Sequence, residues 1–164
     1  MNFQNIDNTF KIVISVGDDS GIGPEIILKA LASNEIPENI EFTIVGSKKI
    51  LQNTYRNLKS LGLKKLANPK NLKIHNLEIS SSDNNSKSIY GNSSFYYLTK
   101  AIEIVKQYPN SALVTGPICK KSWSLAGHNF SGQTEVLAKT CGVKNVGMLF
   151  TANHQLQVGD LILY

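Results

Sequence analysis

The feature that most constrains this fold is a short apolar run that leads through glycines into an amphipathic segment. Residues 11–16 are rich in β-branched side chains and almost continuously apolar, which is typical of a strand buried on both faces. Pro24 then stands where a first helical position is expected, and Glu25 in the first turn suits the helix dipole. A strand followed directly by a helix is the repeating unit of α/β proteins.

The same alternation continues along the chain. Strand patterns are predicted at residues 41–45, 72–79, 112–115, 146–150 and 161–164, and helix patterns at 24–31, 51–61, 98–105, 120–125 and 136–141. Residues 80–92, rich in Ser and Asn, are predicted to form a surface loop. Strands that alternate with helices favour an α/β fold with a layered, largely parallel sheet. Within it we expect residues 12–16 and 113–115 to be neighbouring interior strands.

Composition narrows the possible partners. The net charge of +5 comes from scattered lysines and a single arginine, Arg56, so a basic stripe for nucleic acid is not indicated. No run of about 18 apolar residues predicts a membrane span, and the first residues do not resemble a secretory signal. We therefore expect a cytoplasmic protein that binds neither nucleic acid nor membrane. Cys119 and Cys141 are expected to be reduced thiols.

Residues 17–25 join the first predicted strand to the first predicted helix. Their sequence, Gly-Asp-Asp-Ser-Gly-Ile-Gly-Pro-Glu, holds three glycines, which permit close backbone approach beside a helix start. The spacing is not a dinucleotide fingerprint, because Ile26 stands where the third glycine belongs, and no P-loop Lys-Ser or Lys-Thr follows. Asp18 and Asp19 would repel a phosphate placed directly against them. We expect a tight turn at a carboxyl edge, with contact to a ligand left open.

Two further polar clusters lie at the borders of predicted elements. Thr115-Gly116-Pro117 and Lys120 follow a strand, where α/β proteins keep ligand sites, although a turn and a surface lysine are the simpler explanation. In the second cluster, Ser131 is a plausible helix cap. Gln133 and Thr134 then stand at a helix start, where polar side chains can hydrogen-bond an anionic ligand.

Histidine spacing gives no metal site. His75, His128 and His154 are far apart and do not form a His-x-x-x-His pattern. His75 lies in an alternating strand pattern and is expected at the surface. Neither a Ser-His-Asp nor a Cys-His arrangement can be argued from these spacings, so no catalytic residue and no metal ligand is assigned within the chain.

Taken in order, the three clusters resemble the 4-hydroxythreonine-4-phosphate dehydrogenase family. The family pattern is Gly-Asp/Glu-Pro-Ala-Gly-Ile-Gly-Pro-Glu, then Thr-Gly-Pro-x-x-Lys, then Gly-His/Gln-Thr-Glu. The matching residues are 17–25, 115–120 and 132–135. The resemblance covers the chain from Lys11 onward. It implies the fold of the isocitrate and isopropylmalate dehydrogenases, with two α/β domains and an active site at a homodimer interface.

The resemblance also implies an activity. Family members belong to pyridoxal phosphate synthesis, where a secondary alcohol of 4-phosphooxy-threonine gives hydride to NAD and the resulting β-keto acid decarboxylates. They hold a divalent metal through three histidines, which are expected beyond Tyr164, and so is the cofactor-binding region. We therefore interpret residues 1–10 as a tail and 11–164 as the amino-terminal part of a two-domain dehydrogenase, truncated at the carboxyl end and inactive alone.

Carried over by position, Gln133 and Thr134 match the pair that contacts substrate. Several members have His in place of Gln133, and glutamine keeps hydrogen bonding but cannot become cationic. Asp19 and Ser20 depart from the family's Pro-Ala. Two alternatives stay open: a dehydrogenase of four-carbon sugar-acid phosphates such as erythronate or threonate 4-phosphate, and a non-catalytic remnant.

Overall fold

The computed structural model describes residues 9–79, 86–148, 150–152 and 155–157. The chain divides into two compact units, Met1–Asn129 and Phe130–Tyr164. In the described residues, no helix is both long and apolar enough to cross a membrane. Cys119 and Cys141 are both free, as predicted.

The first unit alternates strands with helices. Its elements are β1 (Phe10–Ser15), α1 (Gly23–Ala30), β2 (Ile40–Gly46), α2 (Lys48–Ser60), a 3-10 turn (Pro69–Asn71), β3 (Ile74–Asn76), α3 (Ser86–Val105), β4 (Ser111–Thr115) and α4 (Lys120–Leu125). The strands form one sheet in the order β3-β2-β1-β4, and every neighbouring pair is parallel. The predicted α/β fold with a parallel sheet is confirmed.

The pairing of β1 with β4 confirms that these segments are neighbours. Ile12 lies opposite Ala112 and Ile14 opposite Val114 in the parallel register. The prediction that both strands are interior is wrong for β4, which is an edge strand of the sheet that the described residues form. Val114 is correspondingly 48% exposed. An apolar run alone could not distinguish an edge strand from an interior one, because both read as short β-branched segments.

The core lies between the sheet and its helices. Strands β1 and β2 contribute buried aliphatic side chains, and Leu28, Leu51 and Leu98 from α1, α2 and α3 are fully buried. Parallel strands are normally covered on their faces by the helices that connect them. This layering brings the carboxyl ends of all four strands to one edge of the sheet.

Helix α3 begins much earlier than the sequence predicted. Residues 80–92 were expected to form a loop, but the helix starts at Ser86; residues 80–85 lie outside the described residues. The small residues Gly91 and Ser94 allow α3 to pack closely against α4. A Cβ on Gly91 would lie 2.0 Å from the carbonyl oxygen of Ser122, and the indole nitrogen of Trp123 donates to Ser94 Oγ at 2.7 Å. Tertiary contact thus overrides the weak helix propensity of Ser, Asn and Gly.

Strand β3 covers only Ile74–Asn76, whereas a strand was predicted at residues 72–79. The prediction is therefore wrong for the residues on either side of β3. Asn76 Oδ1 accepts a hydrogen bond from the backbone N–H of Lys48 at 2.7 Å. The Leu77 N–H then donates to the Gly46 carbonyl at 3.1 Å. Beyond these bonds the described chain leaves the sheet, although its side chains still alternate in polarity.

The second unit holds α5 (Gln133–Cys141) and the antiparallel pair β5 (Phe150–Ala152) and β6 (Gln155–Gln157). Helix α5 ends as predicted, with Gly142 in the left-handed conformation at φ 69°. The predicted Ser131 cap is wrong: Gly132 is the N-cap residue, and no side chain caps this helix. A strand was predicted at residues 146–150, but β5 begins at Phe150, so the prediction is wrong for residues 146–148. The strand predicted at 161–164 lies outside the described residues.

Candidate functional site

The glycine-rich turn lies at the carboxyl edge of the sheet, as predicted, and contacts the end of β4. The Asp18 N–H donates to the Pro117 carbonyl at 2.9 Å, and the Gly116 N–H donates to the Ser15 carbonyl at 2.8 Å. Gly17 has φ +82°, and a Cβ there would lie 2.3 Å from the Pro117 oxygen. The first two sequence clusters are therefore one structural feature.

Two of the glycines make room for a single carbonyl group. A Cβ on Gly23 would lie 2.1 Å from the Val16 carbonyl oxygen, and one on Gly116 would lie 2.2 Å from the same atom. Val16 itself is fully buried immediately after β1. Glycine at these positions is thus explained by packing between backbone segments, without any ligand.

Asp18 and Ser20 stabilise the turn internally. Asp18 Oδ1 accepts from the backbone N–H of Ser20 at 2.8 Å and from its hydroxyl at 2.6 Å. The Asp18 carbonyl accepts from the Gly21 N–H at 3.0 Å. Aspartate commonly stabilises a turn through such side-chain hydrogen bonds. The bond from the Ser20 hydroxyl explains why serine suits a position where the family pattern has alanine.

Asp19 reaches in the other direction, toward α3. Its Oδ2 accepts a hydrogen bond from the Tyr97 hydroxyl at 2.8 Å. The same hydroxyl oxygen receives hydrogen bonds from the Ser93 side chain and the Ser47 backbone. Tyr97, 1% exposed, therefore ties together the β1–α1 turn, the start of α2 and the body of α3.

Burial sets the protonation of this pair. It raises the pKa of Asp19 to about 6; the Tyr97 hydrogen bond opposes the rise and the Asp18 charge adds to it. The pKa of Tyr97 is raised as well, by burial first and then by the charge and hydrogen bond of Asp19. At neutral pH the tyrosine is therefore the donor and Asp19 is mostly an ionised acceptor.

This environment predicts a pH-dependent contribution to stability. Because the pKa of Asp19 is higher in the folded chain than the unfolded value of about 3.9, the fold binds the extra proton and loses stability as pH rises from about 4 through 6. In Asp19→Asn this loss should be absent. The free energy of unfolding of the variant, relative to the unmodified chain, should therefore increase over that interval and stay constant above pH 7.

Urea titrations at pH 4, 5, 6 and 7 measure this difference. Glu35→Gln is the matched control, since it removes an exposed carboxyl group outside the Asp19 hydrogen-bond group. A difference between the Asp19→Asn variant and the unmodified chain that does not change with pH would show that Asp19 titrates normally.

The second cluster supplies little chemistry beyond the turn. Lys120 is exposed at the first position of the six-residue helix α4, and Thr115 is half-buried as the last residue of β4. Cys119 precedes α4, and hydrogen bonds from Ser122 lower the pKa of its thiol. A turn with a surface lysine is an adequate description of this cluster.

Gln133 and Thr134, the predicted substrate-binding residues, are the first two residues of α5 and are half-buried. The preceding Gly132 is extended at φ 176° and brings no capping side chain. The N-terminus of this nine-residue helix therefore offers backbone N–H groups beside one amide and one hydroxyl group. Glu135 follows in the same turn, and its Oε2 is buried without a hydrogen-bond partner in the described structure.

The described histidines are not arranged around a common point. His75 is exposed on β3, as predicted. His128 stacks on Phe95 with ring centroids 3.8 Å apart, its Nε2 is hydrogen-bonded to Asn92 Oδ1 at 2.8 Å, and burial lowers its pKa. His154 lies outside the described residues. Within the described part of the chain, no three His, Cys, Asp or Glu side chains are grouped so that they could hold a metal ion.

Sequence reasoning missed the role of Tyr97. It lies 78 positions after Asp19, in the middle of a helix, where an aromatic residue reads as ordinary core. The one available signal was the carboxylate at position 19, which departs from the family's proline and needs a partner once it is buried.

Comparison with known proteins identifies the family. The sequence model of the family described as Pyridoxal phosphate biosynthetic protein PdxA matches residues 38–161. A 4-hydroxythreonine-4-phosphate dehydrogenase of Nostoc sp. is 42% identical over 151 residues, covering 87% of this chain and 41% of the relative. The corresponding protein of Synechocystis sp. is 37% identical, covering 85% and 42%. The chain thus spans about two fifths of the length of these relatives.

More distant proteins share the family or the fold. A Fusobacterium nucleatum protein, provisionally named D-threonate 4-phosphate dehydrogenase, is 30% identical to this chain. The match covers 77% of this chain and 42% of that protein. The crystal structure of a 4-hydroxythreonine-4-phosphate dehydrogenase from Burkholderia phymatum superposes with a TM-score of 0.73 at 23% identity, over 88% of this chain and 47% of that one. The chain belongs to the PdxA family of pyridoxal phosphate biosynthetic proteins.

Proposed function

We propose that this chain forms the substrate-binding part of an NAD-dependent dehydrogenase that oxidises 4-phosphooxy-threonine in pyridoxal phosphate synthesis. The observation that carries the proposal is the start of α5, where Gln133 and Thr134 stand beside an N-terminus without a side-chain cap. Relatives named 4-hydroxythreonine-4-phosphate dehydrogenase support the reaction class. By the family pattern, the whole enzyme acts as a cytoplasmic homodimer.

The start of α5 suits a phosphorylated substrate. Helix N-termini favour anions because their first N–H groups lack intrahelical partners and carry the positive end of the dipole. Thr134 adds a hydroxyl donor, and the Gln133 amide both donates and accepts. The Glu135 carboxylate would repel an anion placed directly beside it. We therefore propose that it accepts a hydrogen bond from a hydroxyl or ammonium group of the substrate.

The family resemblance also implies a divalent metal, and the described residues do not fit one. His75 is exposed on a strand, and His128 is engaged with Asn92 and Phe95. We therefore derive no step through a metal and assign no NAD-binding residue. The role of this chain is therefore to contact the substrate.

A second candidate is the oxidation of D-threonate 4-phosphate. The 30% identical relative from Fusobacterium nucleatum favours it, because that protein carries the corresponding name. Both substrates present a phosphate and a secondary alcohol, and they differ by an ammonium or a hydroxyl beside the carboxylate. Binding measurements with both compounds distinguish the two functions.

Replacing Thr134 by Val should weaken binding of 4-phosphooxy-threonine. The substitution removes the hydroxyl and nearly keeps the shape, so a lost hydrogen bond to a charged group should cost about 1–3 kcal/mol. That corresponds to a Kd roughly 5- to 150-fold higher. Isothermal titration calorimetry of the 164-residue chain with this compound measures the change.

Thr140→Val is the matched control on the same helix. Thr140 donates its hydroxyl proton to the Val136 carbonyl and lies near the other end of α5, so its loss should leave the Kd unchanged. If the unmodified chain and Thr134→Val bind 4-phosphooxy-threonine with equal affinity, Thr134 does not contact the substrate. No binding by the unmodified chain would refute a substrate site on it.

A further inference from the structure

A separate cavity lies on the α3 side of Asp19, at the carboxyl edge of the sheet. It has a volume of about 210 Å³, and Asp19, Ser47 and Tyr97 are among the residues that line it. All three belong to the hydrogen-bond group that joins the β1–α1 turn to α2 and α3. The proposed substrate contacts at Gln133 and Thr134 do not line this cavity, which we call the Asp19 cavity.

One oxygen of Asp19 is left to accept a hydrogen bond. Oδ2 is fixed by the Tyr97 hydroxyl at 2.8 Å, whereas Oδ1 is buried and has no partner in the described structure. A buried acceptor without a donor costs about 1–3 kcal/mol, more when it is charged. The fixed Oδ2 holds the carboxylate in one orientation, and in the described structure no hydrogen bond at Oδ1 compensates its negative charge.

The remaining lining suits a cation with a short carbon chain. Ile50, Ile79 and Ile89 provide apolar surface, and Tyr90 provides an aromatic ring. Among the charged side chains that line the cavity, the carboxylates of Asp19 and Glu78 outnumber the single ammonium group of Lys49. Carboxylate, apolar wall and aromatic ring are the groups that bind an alkylammonium ion.

We infer that the Asp19 cavity binds a small alkylammonium group, whose positive charge pairs with the Asp19 carboxylate while its carbon chain contacts the three isoleucines. The assignment is particular to this chain, since the family pattern has proline where Asp19 stands. It is independent of the proposed substrate contacts on α5.

Protonation of Asp19 should control this binding. With its pKa near 6, the carboxylate is about one-tenth ionised at pH 5 and about nine-tenths at pH 7, so ammonium affinity should rise about tenfold. The Lys49 ammonium group and the phenols of Tyr90 and Tyr97 also line the cavity. Asp18 and the exposed Glu78 are the other acids nearby. Reciprocally, a bound ammonium should lower the pKa of Asp19.

The experiment uses n-butylammonium chloride as probe, with n-butanol as its neutral counterpart and sodium chloride at equal ionic strength. Carbon-13 NMR of the Asp19 carboxyl group follows its pKa in the 164-residue chain. We expect n-butylammonium to lower this pKa and the other two solutes to leave it unchanged. Equal effects of n-butylammonium and sodium chloride would overturn the inference, and this measurement needs no variant.

Variants then locate the site. Asp19→Asn should bind n-butylammonium at least tenfold more weakly, whereas Glu35→Gln, which removes an exposed carboxylate elsewhere, should bind it normally. Thr134→Val should also bind normally, which separates this site from the proposed substrate contacts. Unchanged affinity in Asp19→Asn would overturn the inference even if the substrate proposal holds.

Discussion

The 164-residue chain, purified by itself, should show no measurable reduction of NAD with 4-phosphooxy-threonine and a divalent metal. The proposed reaction needs about three protein ligands for the metal and an open position for the substrate oxygen. The described residues offer no such group, and the chain spans only 41% of the Nostoc relative. What we assign to this chain is substrate contact, which orients a substrate but does not remove a hydride.

The assay follows absorbance of reduced cofactor. A full-length relative, such as the Nostoc protein, is the positive control, and Thr134→Val is the matched variant of this chain. Residual signal that is equal in both forms of the chain indicates a host contaminant. Turnover by the unmodified chain that Thr134→Val lowers would show that residues 1–164 carry a complete active site, contrary to our expectation.

The sequence predicted the fold where local chemistry and tertiary structure agree. The run before Gly17 became β1, and Pro24 lies in the first turn of α1. The alternation of strand and helix patterns was enough to predict a parallel sheet, because parallel neighbours require such crossovers. The position of the glycine-rich turn at the carboxyl edge followed from the same topology.

Where the prediction failed, distant contacts decide the local structure. The start of α3 reads as loop because Ser, Asn and Gly dominate it, yet Gly91 lets the helix approach the Ser122 carbonyl of α4. Likewise β4 reads as an interior strand, although it is an edge strand in the described sheet. No periodicity in a single segment records what packs against it.

The candidate site was predictable only in part. Gln133 and Thr134 were found through the family pattern and do lie at a helix start. The Asp19–Tyr97 bond was not predictable, because it joins residues 78 positions apart. The glycines at 23 and 116 were read as possible ligand contacts, and the structure explains them by their approach to the Val16 carbonyl.

That explanation predicts a large loss of stability in Gly23→Ala. The added methyl group would lie 2.1 Å from the Val16 carbonyl oxygen, closer than any ordinary contact, and this oxygen belongs to backbone that cannot rotate away. The substitution should lower the free energy of unfolding by about 3 kcal/mol, the upper end of the usual cost of overpacking. Alanine's better helix propensity returns only about 1 kcal/mol.

Gly21→Ala is the matched control within the same turn. Its nearest neighbours would be the Asp18 carbonyl oxygen at 3.4 Å and the Asp18 Cβ at 3.7 Å, which are ordinary van der Waals contacts. We expect its free energy of unfolding to lie within about 0.5 kcal/mol of the unmodified chain. Urea denaturation of both variants makes the comparison. Equal stabilities of Gly21→Ala and Gly23→Ala would mean that packing on Val16 does not require Gly23, and a ligand contact would again be the better reason for that glycine.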